Sequence, residues 1–408
     1  MKTLNIGLIG SGFMGKGHSM AYNLLPQIFS PLPAYPRLKV LGDISQELAQ
    51  KAAQNYGFED FSVGWENVVN HPEVDIVDIT APNHVHKDIA IAAAKAGKHI
   101  YCEKPLAVTL ADAKAMMEAA EQAGVKTLVG FNYLKSPATL MAKRLIDEGK
   151  IGDIWHFKGF FNQDILANPL LPFSWRFEKK IAGSGALGDL GAHIIAIAHA
   201  LVSDIDKLCA MTETFVKERP VATGAFGYDG KADLNAPKKV VENDDVVNML
   251  LKFKNGATGT IESSRIAQGH KVFLAYEING SKGSLRFSHE RMNELNIYFS
   301  EDPEGLRGFR NIITGPDHPF YGSFWPVAGC GLGFGDMKVI EIYELLDGIV
   351  HDKPISPDFR DGYKVNQVIE AALQSAAGEC WVSRSSFNKT FTKTFGSRLQ
   401  TLTRLDDI

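Results

Sequence analysis

The chain opens on an apolar run, Leu4-Asn5-Ile6-Gly7-Leu8-Ile9, that passes directly into Gly10-Ser11-Gly12-Phe13-Met14-Gly15. His18 to Leu25 then reads as helix. Few folds tolerate that order. A buried strand, a glycine turn and a helix start make a cradle for a pyrophosphate, over unpaired N–H groups at the positive end of the helix dipole. In this pattern Gly10 allows the tight turn, Gly12 lets the backbone approach the phosphates, and Gly15 lets helix and strand pack closely. Phe13 and Met14 share the cradle with these glycines. The alternative is an ordinary strand-to-helix turn.

A second strand is expected at Leu38 to Gly42, ending on Asp43. A carboxylate there is where a dinucleotide fold holds the adenosine ribose. Asp43 lies 28 positions after Gly15, against a usual spacing of about twenty. The proline-rich stretch Ile28 to Pro36 accounts for the excess. Positions 44 and 45 hold neither Arg nor Lys, so a 2′-phosphate has no partner and NAD is favoured over NADP. The competing role for Asp43 is to cap the helix starting near Ser45.

Helix and strand go on alternating: helix at Glu47 to Tyr56, strand at Val74 to Ile79, helix at Ile89 to Ala96, strand at Lys98 to Cys102, helix at Leu110 to Ala123, strand at Lys126 to Phe131. This is the signature of a doubly wound parallel sheet. Ligands bind outside the carboxyl ends of such strands. Two loops fall there, Thr80-Ala81-Pro82-Asn83-His84-Val85-His86 and Glu103-Lys104-Pro105. Thr80, Pro82, Asn83, His86, Glu103 and Lys104 are therefore cofactor candidates, with Asn132 after the last strand. The HxH pair has no third ligand nearby, so no metal is expected. Lys104, between a buried strand and a proline, is placed to share or relay a proton.

At 408 residues two domains are expected. The boundary is placed at 133/134: a Rossmann domain over 1–133, an α+β substrate and oligomerisation domain over 134–390, and a tail over 391–408. From Asp153 onward the pattern alternates, at 155–160, 246–253, 258–264 and 272–278, which reads as an antiparallel sheet. The segments 222–241 and 301–333 read as surface loops. Net charge is −4, which gives no reason to expect a nucleic-acid or membrane partner. The four cysteines are scattered, as in a reduced intracellular protein. No secretory signal and no apolar run of transmembrane length stand out, so a cytoplasmic location is expected.

Gly183-Ser184-Gly185-Ala186-Leu187-Gly188-Asp189-Leu190-Gly191-Ala192-His193 adds a glycine-rich segment leading into a DxxxH helix. Residues four apart share a helical face, and a histidine titrates in the range needed to take a hydroxyl proton. Alone, such a pair is more often a structural hydrogen bond. With GSGFMG, TAPNHVH and CEKP in this order, however, the sequence resembles the glucose–fructose oxidoreductase / inositol dehydrogenase (Gfo/Idh/MocA) family over most of its length. The resemblance implies an NAD-dependent dehydrogenase that oxidises a secondary hydroxyl of a sugar, anhydrosugar or cyclitol, inositol included. It implies a catalytic group of Lys104, Asp189 and His193: His193 as general base, Lys104 as electrostatic partner and relay, Asp189 as anchor for a substrate hydroxyl. It also implies an open antiparallel sheet backed by helices near 189–201, 336–350 and 361–378, whose exposed face joins subunits into a homodimer or homotetramer. Tyr133, Gln163, Trp175 and Arg176 carry the groups a polyhydroxylated ring needs, and Tyr321 and Trp325 are further candidates to reach it. Two other classes stay open: a glycosidase using bound NAD transiently, and a non-catalytic sensor of sugar or dinucleotide.

Overall fold

A computed structural model of the chain describes residues 2–221 and 236–387. The expected tail over 391–408, and most of the loop expected at 222–241, lie outside them. The first half forms a six-stranded parallel sheet: β1 (Thr3–Ile9), β2 (Tyr35–Asp43), β3 (Asp60–Val63), β4 (Ile76–Ile79), β5 (His99–Cys102) and β6 (Thr127–Val129). Their order is β3-β2-β1-β4-β5-β6. Leu4, Ile6, Leu8 and Ile9 on β1, and all of β4, are buried, because helices cover both faces. The strand order reverses between β1 and β4, which opens a crevice at their carboxyl ends beside the glycine turn.

The second half builds a nine-stranded sheet. Its strands are β7 (Ile154–Asn162), β8 (Ile205–Glu213), β11 (Val246–Phe253), β12 (Thr258–Ser264), β13 (Phe273–Gly280), β14 (Gly283–Ser288), β15 (Glu294–Phe299), β16 (Arg310–Ile313) and β17 (Val382–Ser383). A separate ribbon pairs β9 (Glu218–Pro220) with β10 (Lys238–Val240). The large sheet runs β16-β15-β14-β13-β7-β12-β11-β8-β17. All its pairings are antiparallel except β7 with β12, which are parallel. That pair requires a crossover rather than a hairpin, and the crossover includes the buried helix Ala192–Leu201. On the other face Met211 and Leu250 are exposed.

Three expectations change. The helical run Lys179–Leu201 is long and apolar enough to cross a bilayer, at a mean hydropathy of 1.4, yet 83% of that window is buried inside the protein. It is the core of the second half. The helix Phe334–Val350 does not simply back the second sheet. Val339, Ile340, Ile342, Leu345 and Leu346 join a cluster with Leu8, Tyr22 and Leu25 of the first half, so this helix closes the Rossmann sheet's open side. Tyr321 is fully buried in the same cluster and accepts a hydrogen bond from the Gly331 N–H (3.0 Å), away from the crevice.

The last long helix, Phe359–Gly378, packs against β8 and against the helix Leu110–Ala123, and so bridges both halves. Just before it, the Pro357 carbonyl takes the Val129 N–H (2.9 Å), and the Phe359 N–H reaches Thr127 Oγ1 (3.1 Å). The outer edge of β6 is thus satisfied by chain from the far end of the sequence. Leu345 is fully buried where the returning helix meets the first half. Leu345→Ala is expected to cost about 2–5 kcal/mol of stability, read as a lower urea midpoint with an unchanged slope.

Candidate active site

The glycine turn takes its shape from two close approaches. Gly10 has φ +100°, and a Cβ there would meet the Ala81 nitrogen at 2.9 Å; a Cβ on Gly15 would run into the Gly10 carbonyl. Gly12 instead faces open space at the N-terminus of the helix Phe13–Ile28, which has no side-chain cap and no acidic residue in its first turn. Phe13 is exposed and Met14 half-buried beside it. Donors free at a long helix start, beside a gap no Cβ fills, suit a pyrophosphate.

Asp43 ends β2 and turns toward this loop. Its Oδ2 accepts from Ser11 N–H (2.8 Å) and Ser11 Oγ (2.5 Å), and its Oδ1 from Ile44 N–H (2.6 Å). The next helix is capped by Ser45, whose hydroxyl accepts from Leu48 N–H. Asp43 is therefore not the cap, and its carboxylate ties the end of β2 to the glycine turn.

The loop after β4 is partly structural. Thr80 Oγ1 donates to the Gly10 carbonyl (2.6 Å), and Asn83 Nδ2 reaches the Ala182 carbonyl (3.2 Å) in the second half. Pro82 is exposed at the crevice. His86 is fully buried, with Nε2 2.8 Å from the Ala81 carbonyl and Nδ1 between the Pro105 and Leu106 carbonyls. Its place is a tie between two loops, beneath the crevice. Burial pushes its pKa down despite those carbonyls.

Lys104 follows β5 and enters a cis peptide to Pro105. Its ammonium lies 2.7 Å from the Asp189 carbonyl and 2.6 Å from Asp189 Oδ1. The partner comes from the second half, where Leu187–Gly191 makes a widened π turn that runs into the helix Ala192–Leu201. π turns recur at functional sites because they re-aim side chains within a helix. Asp244 holds this turn from below, taking the N–H groups of Gly185 (2.7 Å) and Leu187 (2.8 Å). Burial works against a charge on Asp189, but the Lys104 ammonium, with Arg176, brings its pKa down to about 2.

His193 is buried, and its Nδ1 has no hydrogen-bond partner. Its ring is set edge-on to Tyr133 at 4.7 Å and to Phe131 at 5.8 Å. Burial first, and the Lys104 ammonium second, hold its pKa well below the usual histidine range. The structural Asp189–His193 hydrogen bond that the spacing alone offers does not form: Asp189 bonds Lys104, and His193 Nδ1 is left without a partner. Asn132 is also buried, with an unpartnered Nδ2. These orphaned polar atoms fit a ligand better than they fit an apolar core.

Trp175 and Arg176 sit half-buried with the guanidinium 4.5 Å from the indole. They are held from beneath by Phe177, packed between the guanidiniums of Arg219 (4.6 Å) and Arg265 (5.0 Å). Gln163 follows β7, where the Ser264 carbonyl takes its N–H and its own carbonyl takes that of Ala267. Trp325 is exposed.

Beneath Lys104 lies a charged cluster that sequence reasoning missed. Glu103 Oε1 takes Lys338 Nζ at 2.6 Å and His18 Nε2 at 2.9 Å. His18 Nδ1 bonds both Asp78 oxygens at 2.9 Å, and its ring stacks on Tyr101 at 4.4 Å. Lys338 also contacts Glu341 (3.0 Å) and the Tyr101 hydroxyl (3.1 Å). Glu103, expected to face the cofactor, has its side chain turned into this cluster. Burial opposes the charges on His18, Lys338 and Glu103. Asp78 nevertheless holds the His18 pKa up, Glu103 holds that of Lys338 up, and Lys338 keeps Glu103 well below the usual carboxylate range. The one sequence signal was Lys338 and Glu341, three apart amid Met337, Val339, Ile340 and Ile342.

Residues 4–131 match the model described as the oxidoreductase family, NAD-binding Rossmann fold, and residues 139–286 match the GFO/IDH/MocA C-terminal domain. The chain is 44% identical to levoglucosan dehydrogenase of Pseudarthrobacter phenanthrenivorans, over 94% of this chain and 98% of that one. It is 31% identical to scyllo-inositol 2-dehydrogenase (NAD(+)) of Bacillus subtilis, over 71% of this chain and 75% of that one. The solved structure of levoglucosan dehydrogenase in complex with NADH and levoglucosan superposes with a TM-score of 0.89 at 43% identity, over 94% of this chain and 99% of that chain.

The depressed His193 pKa has a signed consequence. Its neutral form favours the fold above the ordinary histidine pKa of about 6.5, and that contribution is lost as pH falls through the lower folded value. In an NMR titration the His193 ring is expected to stay neutral between about pH 8 and 6.5. Lys104→Met should move its titration upward, because a positive neighbour is removed.

Proposed function

Because the chain belongs to the GFO/IDH/MocA oxidoreductase family and carries its NAD-binding Rossmann domain, we propose that it oxidises a secondary hydroxyl of a levoglucosan-type anhydrosugar to the ketone. The observation that carries this is the Lys104–Asp189 contact at 2.6 Å, formed across the two halves beside a neutral His193. An ammonium and an uncharged imidazole at a sheet's carboxyl edge are the two groups an alcohol oxidation needs. The substrate assignment is supported by 44% identity to levoglucosan dehydrogenase along nearly the whole chain.

Bound NAD supplies the hydride acceptor. His193 takes the hydroxyl proton as general base. Lys104, steadied by Asp189, faces the same oxygen and, as an ammonium, stabilises its growing charge. Asp189 is half-exposed and accepts a neighbouring substrate hydroxyl. Tyr133, Gln163, Trp175 and Arg176 supply stacking and hydrogen bonds to the ring. The backbone of Gly10, Gly12, Phe13, Met14 and Gly15 receives the pyrophosphate, Asp43 the adenosine ribose, and Thr80, Pro82, Asn83 and Asn132 border the nicotinamide side.

The open face of the second sheet, with Met211 and Leu250 exposed, is the natural subunit interface of a homodimer or homotetramer. A cytoplasmic location agrees with four free cysteines, Cys102, Cys209, Cys330 and Cys380. Inositol oxidation is a second reading, favoured by the 31% identity to scyllo-inositol 2-dehydrogenase.

NADH fluorescence over a panel of levoglucosan, scyllo- and myo-inositol, glucose, galactose and xylose, each with NAD and NADP, tests the substrate. Turnover of levoglucosan with NAD, and little with the rest, is expected; turnover of inositols alone selects the second reading. Lys104→Ala and His193→Ala are each expected to lower kcat by about 10²–10⁴-fold while NAD still binds by fluorescence quenching. Near-normal turnover in both overturns the catalytic assignment.

A further inference from the structure

The cluster beneath Lys104 is joined to the catalytic lysine by one side chain. Glu103 has two carboxylate oxygens, and each has a separate task. Oε1 is held by two cationic groups, Lys338 at 2.6 Å and His18 at 2.9 Å. Oε2 accepts the main-chain N–H of Lys104 itself at 3.1 Å. The carboxylate is pressed against the end of β6, where a Cβ on Gly130 would lie 2.6 Å from Oε1. Only a glycine leaves the space it fills.

Lys338 comes from the opposite end of the chain. It lies on the helix Phe334–Val350, its side chain is 1% exposed, and its ammonium meets Glu103, Glu341 and the Tyr101 hydroxyl. Its neighbours Met337, Val339 and Ile340 are buried and apolar. A hydrophobic residue at 338 would serve packing at least as well, so a buried ion at this point calls for a role other than stability. A carboxylate between two cationic groups cannot swing, and the N–H that its other oxygen holds cannot shift.

We propose that Lys338 is a positioning residue for Lys104: by locking the Glu103 carboxylate it fixes the main chain at Lys104 and so aims the Lys104 ammonium at Asp189. This rests on the reading of Lys104 as the catalytic lysine. Glu103 and His18 act in the same clamp, with Asp78 orienting His18 through both oxygens. Helix Phe334–Val350 thereby takes part in catalysis without touching substrate or cofactor.

The test uses Lys338→Met and the double variant Lys338→Met/Glu341→Gln. The double variant removes a carboxylate that Lys338 would leave unpaired, and serves if the single variant does not fold. Glu344→Gln is the control. Glu344 lies on the same helix and pairs with Lys135, which keeps its bond to the Ser356 carbonyl at 2.7 Å. With the full-length enzyme, both Lys338 variants are expected to lose about tenfold to a hundredfold in kcat, with KM for the sugar and NAD affinity unchanged. Glu344→Gln is expected to keep wild-type kcat. A crystal structure of the double variant should show the 2.6 Å Lys104–Asp189 contact opened. Wild-type kcat with that contact intact overturns the proposal, and so does an equal loss in Glu344→Gln, which would make Lys338 a docking group only. Lys104→Ala is measured in parallel: if it stays active, the catalytic reading fails, and the crystal structure alone decides whether Lys338 positions Lys104.

Discussion

The contact between the Lys104 ammonium and Asp189 joins the two halves at the carboxyl end of β5. Each partner comes from a rigid support. Lys104 leaves the buried strand β5, and Asp189 stands on a π turn whose N–H groups are held by Asp244. A flexible loop on either side would let solvent separate the pair, and an exposed ion pair contributes little. Here the support comes from the fold, so the charge on Lys104 stays fixed while the nearby imidazole stays neutral. One ammonium therefore does two things. It holds Asp189 ionised, and it helps keep the His193 pKa down.

Below this contact the structure spends buried charge. Glu103, Lys338, His18, Asp78 and Glu341 are all nearly excluded from water. Withdrawing such ions from solvent costs on the order of several kcal/mol each, and pairing recovers only part of it. The gain is direction, because hydrogen-bonded ions accept one arrangement where packed methyl groups accept several. The helix Phe334–Val350 combines both kinds of contact. Its apolar face covers the Rossmann sheet, and one ammonium reaches through to the strand end that carries Glu103 and Lys104.

Local patterns were legible in the sequence. The strand, glycine turn and helix at 4–25 are read from neighbouring residues, and the turn has the close approaches that demand Gly10 and Gly15. The alternation of the first half and the β-rich second half were legible for the same reason. Long-range pairings were hidden. Asp189 and His193 share a helical face, and that spacing invites a partnership, but the partner of Asp189 lies 85 residues away on another sheet. Glu103 belongs to a motif that points to the crevice, yet its side chain answers a lysine 235 residues further on. The run Lys179–Leu201 shows that apolarity alone does not say whether lipid or protein surrounds a helix.

The returning helix also imposes an order on synthesis. The six strands of the first sheet leave the ribosome before residue 130, and domains generally fold from the N-terminus as they emerge. The helix that covers Leu8, Tyr22 and Leu25, and brings the cation for Glu103, is made some two hundred residues later. Until then the nascent Rossmann half carries a bare apolar face and a carboxylate short of one of its partners. A chain cut after its last strand would lose both cover and counter-charge.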